Sequence, residues 1–142
     1  MYKIKIFTVG KTKEPWLHEA LSEYHKRLKT TMGIEWILAK NQEQLTDFLS
    51  KESVAWISLD PKGRLLDSLD FSKLLFHTLE KQGSHLNFVI GDADGLAPSI
   101  KEKSLFLLSL SPLTFTHQIT RLVLLEQLYR AREIEKRSPY HK

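Results

Sequence analysis

The 142-residue chain contains no cysteine, which excludes a disulfide framework and any thiolate metal site. None of its six histidines forms a His-x-x-x-His pair beside a glutamate, so no metal is expected. No stretch approaches the roughly 18 consecutive apolar residues of a membrane span, and no membrane partner is expected. Glycine and proline are sparse, at six and five, and there is no low-complexity tract, linker or internal repeat. One domain covering residues 1–142 is therefore expected. The sequence also lacks a Gly-x-Ser-x-Gly elbow, a three-glycine dinucleotide fingerprint and a phosphate loop with its Lys-Ser/Thr pair. Those absences count against a serine hydrolase and a nucleotide triphosphatase.

What is present is ordinary for a soluble fold: 42% hydrophobic and 27% charged residues. The formal net charge is +4, from 21 Lys+Arg against 17 Asp+Glu. That balance admits a polyanionic partner without demanding one. Freedom from cysteine is compatible with a reducing cytoplasm, the expected compartment.

The opening segment Tyr2–Val9 alternates, with Ile4 and Ile6 on one face and Lys3 and Lys5 on the other, and reads as a strand, not a signal sequence. Pro15 suits a first helical turn. Leu17, Leu21, Tyr24 and Leu28 then lay one apolar stripe along a helix whose end carries Lys26, Arg27 and Lys29. Gly33 closes the connection and residues 34–38 form a second strand. Asn41 caps a short helix carrying Leu45, Phe48 and Leu49. Residues 53–59 form a third strand, stopped by the turn Asp60-Pro61-Lys62-Gly63, where Gly63 permits a positive φ. A helix begins at Asp70 or Ser72, bears Leu74, Leu75 and Leu79, and ends at Gly83.

The organising stretch comes next. Residues 86–90 are an apolar run suited to a strand buried on both faces. It stops at Gly91-Asp92-Ala93-Asp94-Gly95. A second apolar run over 105–110 leads through the loop 111–116 into a long helix from about Gln118 to Lys136, entered through His117 and Arg121. Alternating strands and helices predict an α/β fold with a mainly parallel sheet flanked by helices. Ligands of such sheets bind outside the carboxyl ends of the strands. The glycine turn, the 111–116 loop and the helix entrance are expected to share one pocket. The turn by itself is equally compatible with a tight connection and no ligand.

His117 and Arg121, four apart, share a helix face at an end that attracts anions. Arg121 would offer a bidentate donor, or else pair with Glu126 or Glu133. The last helix carries apolar residues on more than one stripe (Ile119, Leu122, Val123, Leu124, Leu125, Leu128, Ile134), which points to burial against a twin subunit. From Arg121 to Lys142, six cations face three acids. A basic segment ending in Tyr140 and His141 could hold a phosphate backbone and stack on a base, although chain ends are often frayed and inert. Helix is not expected beyond Ser138, which precedes Pro139.

Several motifs appear in order: Val9-Gly10-Lys11, Glu23-Tyr24-x-x-Arg27-Leu28, Leu59-Asp60-x-x-Gly63 and Phe88-Val89-Ile90-Gly91-x-x-x-Gly95-Leu96. They are followed by Leu108-Ser109-Leu110-Ser111-x-Leu113-Thr114-Phe115-x-His117-Gln118, then Arg121-x-x-Leu124-x-Glu126-Gln127-x-Tyr129-Arg130-Ala131, and finally Pro139-Tyr140-His141-Lys142. Together they resemble the ribosomal RNA large subunit methyltransferase H family, small SPOUT-class enzymes that methylate N3 of a pseudouridine in bacterial 23S ribosomal RNA. The likeness spans essentially the whole chain, and its carboxyl-terminal half is the more specific part.

The resemblance implies a carboxyl-terminal trefoil knot, a homodimer and S-adenosyl-L-methionine held in the knot. General rules of chain topology would not predict a knot. By the same analogy the cofactor touches Leu59, Gly91, Leu110, Ser111, Pro112, Leu113, Thr114 and Phe115. The candidates for chemistry are His117 or His141 for the proton, Arg121 and Arg130 for phosphate or developing anionic charge, and Tyr140 for stacking. The implied partner is 23S ribosomal RNA in the assembled ribosome. Two departures stand out. Asp92 replaces a usual glycine and is expected to crowd or repel part of the ligand, and Thr116 replaces a usual proline and is expected to loosen the loop. The alternative is a non-catalytic ribosome- or RNA-binding factor that kept the fold.

Overall fold

The computed structural model describes residues 1–142. Five parallel strands form one sheet in the order β2-β1-β4-β3-β5. They are β1 (Tyr2–Val9), β2 (Met32–Ala39), β3 (Trp56–Leu65), β4 (His85–Ile90) and β5 (Phe106–Ser109). The helices between them are α1 (Pro15–Leu28), α2 (Gln42–Ser50), α3 (Ser68–Lys81), α4 (Pro98–Glu102) and α5 (His117–Glu135). No helix is long and apolar enough to cross a membrane.

The two-residue period of the strands builds a three-layer molecule. Ile4, Ile6, Ile57, Leu86, Phe88 and Ile90 point to one face, where Leu17, Leu21 and Leu28 of α1, Phe71, Leu75 and Leu79 of α3, and Leu124, Leu125 and Leu128 of α5 cover them. Phe7, Trp56 and Val89 point to the other, under Leu45 and Leu49 of α2 and Ile100 of α4. β4 is buried from Leu86 to Ile90 on both faces, as its unbroken apolar run predicts.

Several boundaries differ from the sequence expectation, and α4 is a helix that it did not include. β2 starts at Met32 and takes Gly33 into the ladder opposite Lys3. α3 starts at Ser68 because Asp67, not Asp70, is its cap: the Asp67 carboxylate accepts the Asp70 N–H at 2.8 Å. α5 starts one residue early, at His117, capped by Thr116.

The largest difference is in β3. It starts three residues late and is not stopped at Asp60 but continues to Leu65 through a register break, so that Leu59 and Arg64 both lie opposite Leu108. Pro61 and Gly63 sit inside this bulge. Gly63 has no positive φ. What it supplies is closeness, since a Cβ there would lie 2.7 Å from the carbonyl carbon and oxygen of Leu107.

Candidate active site

Strand order decides where a site can form. β1 and β4 are sequence-distant neighbours at the centre of the sheet, and β3 and β5 lie beyond β4. Connections therefore diverge above their carboxyl ends, the usual place for a ligand crevice. A cavity of about 840 Å³ opens there. Its walls come from the β1–α1 connection (Lys13, Glu14, Trp16, Leu17), the end of β3 (Leu59, Asp60, Pro61), the glycine turn (Ile90 to Ala93 and Gly95), residues 108–111 and 113–116, and the first turn of α5 (His117 to Thr120). Gly91 and Thr114 thus border one space.

The glycine turn is built from backbone contact. A Cβ on Gly91 would lie 2.7 Å from the Gly95 carbonyl carbon and 2.8 Å from its oxygen. Gly95 turns with φ +82°, and its N–H donates to the Asp92 carbonyl at 3.0 Å. From α2, Gln42 Nε2 reaches both Asp92 Oδ1 (2.8 Å) and the Gly95 carbonyl (2.6 Å). The Asp94 N–H donates to the same Asp92 oxygen at 2.9 Å. Asp92, expected to crowd or repel a ligand, braces the turn with one carboxylate oxygen and also borders the cavity.

The facing loop is ordered by its serines: Ser109 Oγ donates to the Ser111 carbonyl, and Ser111 Oγ accepts the Leu113 N–H. At its far end Thr116 Oγ1 accepts the Ile119 N–H at 3.2 Å. Where sequence suggests loosening, the threonine fixes the helix entrance. Thr116→Ala should cost about 1 kcal/mol of stability, read as a lower urea midpoint at unchanged slope.

Asp60, at the break in β3, borders the cavity. Burial opposes its charge, but the Lys101 ammonium at 2.7 Å and the Lys62 N–H at 2.9 Å more than offset this and hold its carboxyl below the usual range. His117 borders the cavity from the first residue of α5. Burial, then the positive charges of Arg121 and Lys13, push its imidazole below 6.5, with Asp92 opposing. Its Nδ1 is sealed from solvent without a hydrogen-bond partner.

Leu59, Gly91, Leu110, Ser111, Leu113, Thr114, Phe115 and His117 all border this cavity, whereas Pro112 lies outside its lining. Arg121 does not line it either. The guanidinium is fully buried and turned toward the β1–α1 connection, donating to the carbonyls of Val9 (3.1 Å) and Gly10 (2.8 Å) and to Thr12 Oγ1 (2.9 Å). Burial lowers it to about 10, still far above neutrality, so it carries its charge inside. An anion clamp is not what this geometry offers; a brace for the loop is.

Arg130, Tyr140 and His141 gather elsewhere. Arg130 lies 13 residues beyond His117 on the same helix, about 20 Å along its axis at 1.5 Å per residue. It grips Glu126 through two nitrogens and donates to His141 Nδ1 at 3.1 Å. Tyr140 donates to the same Glu126 at 2.8 Å and packs edge-on against Tyr129. Burial and that hydrogen bond push the Tyr140 phenol up to about 12. The tail is folded back and anchored, not frayed. Several cations of the segment are also spoken for, since Arg132 and Lys136 lie against Glu133.

Lys13, Trp16, Asp60 and Thr120 border the cavity without having been singled out. The strand-end rule applied to β1 would have found the first two. The register break hid Asp60, which reads as an ordinary turn residue.

A family model described as "Predicted SPOUT methyltransferase" matches residues 2–141. A Protochlamydia amoebophila protein named ribosomal RNA large subunit methyltransferase H is 54% identical over 142 residues, covering 100% of both chains. Among solved structures, a probable methylase family protein from Haemophilus influenzae Rd KW20 superposes with a TM-score of 0.60 at 10% identity, over 99% of this chain and 70% of its own. The SpoU methyltransferase AviRb from Streptomyces viridochromogenes, solved with AdoMet, gives 0.51 at 11% identity, over 90% and 57%. With the parallel sheet, the strand-end cavity and a match over nearly every residue in agreement, the chain belongs to the SPOUT methyltransferases of the α/β-knot fold, in the ribosomal RNA large subunit methyltransferase H family.

Proposed function

We propose that the protein transfers a methyl group from S-adenosyl-L-methionine to N3 of a pseudouridine in 23S ribosomal RNA, working as a homodimer on the assembled large subunit or ribosome in the cytoplasm. The observation that carries this reading is the convergence of the Gly91 turn, the 109–116 loop and His117 on one cavity. Its volume is within the range of small-molecule sites, and its walls mix aliphatic side chains with backbone-rich turns. That composition suits an adenosyl ligand bound through backbone groups, with no phosphate loop required. Gly91, Leu59, Leu110 and the 113–115 segment would hold it.

Bound there, S-adenosyl-L-methionine would supply an electrophilic methyl group. The chain's task is to align the acceptor nitrogen and take its proton. His117 is held neutral near pH 7, and with Nδ1 sealed, Nε2 is the ring nitrogen open to the acceptor's proton. Arg130, Tyr140 and His141 sit too far along α5 to serve the cavity of their own chain, so their part requires the tail of a second copy.

Ribosomes lacking the modification, incubated with the protein and S-adenosyl-L-methionine, should gain one methyl on N3 of a pseudouridine. Ribosome binding without cofactor binding would instead establish a non-catalytic factor. The rate should also report His117. Because its pKa is depressed, the neutral imidazole persists as pH falls through 6.5 and is lost only below that. The acid limb of kcat should lie under 6.5 and move upward in Lys13→Gln, which removes one of the charges holding the pKa down. A limb unmoved by that change, or His117→Ala with unchanged kcat, would remove His117 from proton transfer.

A further inference from the structure

The wall of the cavity supplied by β1 differs in kind from the wall supplied by β3, β4 and β5. On the latter side are aliphatic strand ends, the glycine turn and the ordered loop. On the former are an exposed tryptophan and a cation. Trp16 is 53% exposed, borders the cavity and enters no aromatic pair, whereas Tyr24, Tyr129, Tyr140, His25 and Trp36 all do. Lys13 is exposed, borders the same space and has no acidic partner within 4 Å, neighbouring Glu14 included.

This wall is also fixed in place. Gln118 Oε1 accepts the Lys13 N–H at 3.1 Å while its Nε2 donates to the Lys11 carbonyl at 3.0 Å. Arg121 holds Val9, Gly10 and Thr12 just upstream. Two buried or half-buried side chains of α5 thus present an unpaired indole and an unpaired ammonium at the rim of a reaction cavity. Single unstacked bases are bound by aromatic faces, and their phosphates by lysine or arginine.

We propose that Trp16 and Lys13 form the subsite that receives the target nucleotide: the indole stacks on the base and the Lys13 ammonium meets an adjacent phosphate. The assignment rests on the methyltransferase reading and adds to it which side of the cavity the acceptor enters. Since β1 and β3 flank β4, an acceptor stacked on Trp16 approaches from across β4 relative to Leu59 and Leu110, with His117 bordering the same space.

The test compares wild type, Trp16→Ala, Trp16→Phe and Lys13→Gln on ribosomes lacking the modification. Trp16→Ala should raise KM for the ribosome by roughly ten-fold to a hundred-fold, the span of base–aromatic stacking. The dissociation constant of S-adenosyl-L-methionine should be unchanged. Trp16→Phe should recover most of the loss, and Lys13→Gln should reduce the salt slope of ribosome binding by about one. A wild-type KM in Trp16→Ala overturns the proposal, as does a parallel loss of cofactor affinity, which would assign Trp16 to the donor side. Dissociation of Trp16→Ala to monomers in sedimentation would assign it to a subunit contact and overturn it as well. Should wild type transfer no methyl at all, the function reading fails, and indole fluorescence decides the subsite separately. A short uridine-containing single-stranded RNA should quench wild type and not Trp16→Phe; equal responses overturn the subsite.

Discussion

Replacing Arg121 with alanine should lower the unfolding free energy by about 3–5 kcal/mol, because a large buried side chain is lost and its three neutral acceptors are left without a donor. The residue is the largest side chain fully removed from solvent. Its deletion leaves the carbonyls of Val9 and Gly10 and the hydroxyl of Thr12 facing a void, and each unsatisfied group costs about 1–3 kcal/mol. For a chain of this size the melting temperature should fall by about 10–15 °C. Arg121→Lys should recover little, because an ammonium is a point donor and cannot fork across three acceptors. Methyl transfer should fall with KM for the ribosome rising, since the β1–α1 connection loses its brace, while cofactor affinity is less affected. A variant melting within 2 °C of wild type would show that the loop holds its position without the guanidinium.

Gly91→Ala should weaken S-adenosyl-L-methionine binding by ten-fold to a hundred-fold and destabilise the fold by about 1–3 kcal/mol, the cost of overpacking a tight site. The added methyl meets backbone: the carbon and oxygen of Gly95 at 2.7 and 2.8 Å, and its Cα at 3.1 Å. No rotamer change relieves that contact. Opening the turn would break the bonds from Gln42 to Asp92 and Gly95 on its outer side. Asp94→Ala is the control within the same turn, because the Asp94 side chain bonds nothing while its N–H makes the contact. Calorimetry with the cofactor and urea unfolding of both variants separate the two effects. Wild-type affinity in Gly91→Ala would place the donor elsewhere.

Much of this arrangement is legible in the residues. Period-two alternation in Tyr2–Val9, the unbroken run of β4 and the stripe of α1 each follow from one local rule, and each element forms where the rule places it. The strand-end rule brings Gly91, residues 110–115 and His117 to a common cavity, except for Pro112. What eludes a local rule depends on distant partners. Pro61 and Gly63 carry a turn signature, yet pairing with β5 stretches them into a bulged strand. Arg121 looks like an anion ligand at a helix entrance. Only the spatial nearness of residues more than a hundred positions earlier turns it inward. Tyr140 and His141 read as a loose basic tail, but Glu126 one turn before Arg130 folds them back onto α5.

The grip of Arg121 on residues 9–12 also orders events during synthesis. Three of its bonds span 109 to 112 positions, and Arg132 reaches back to Arg27 and Thr31 across about as many. A nascent chain that has made β1 and α1 must wait until nearly everything else has emerged before the first loop finds its partners. Such long-range closure slows folding. The β1–α1 connection that borders the cavity therefore gains its brace only once α5 has been made.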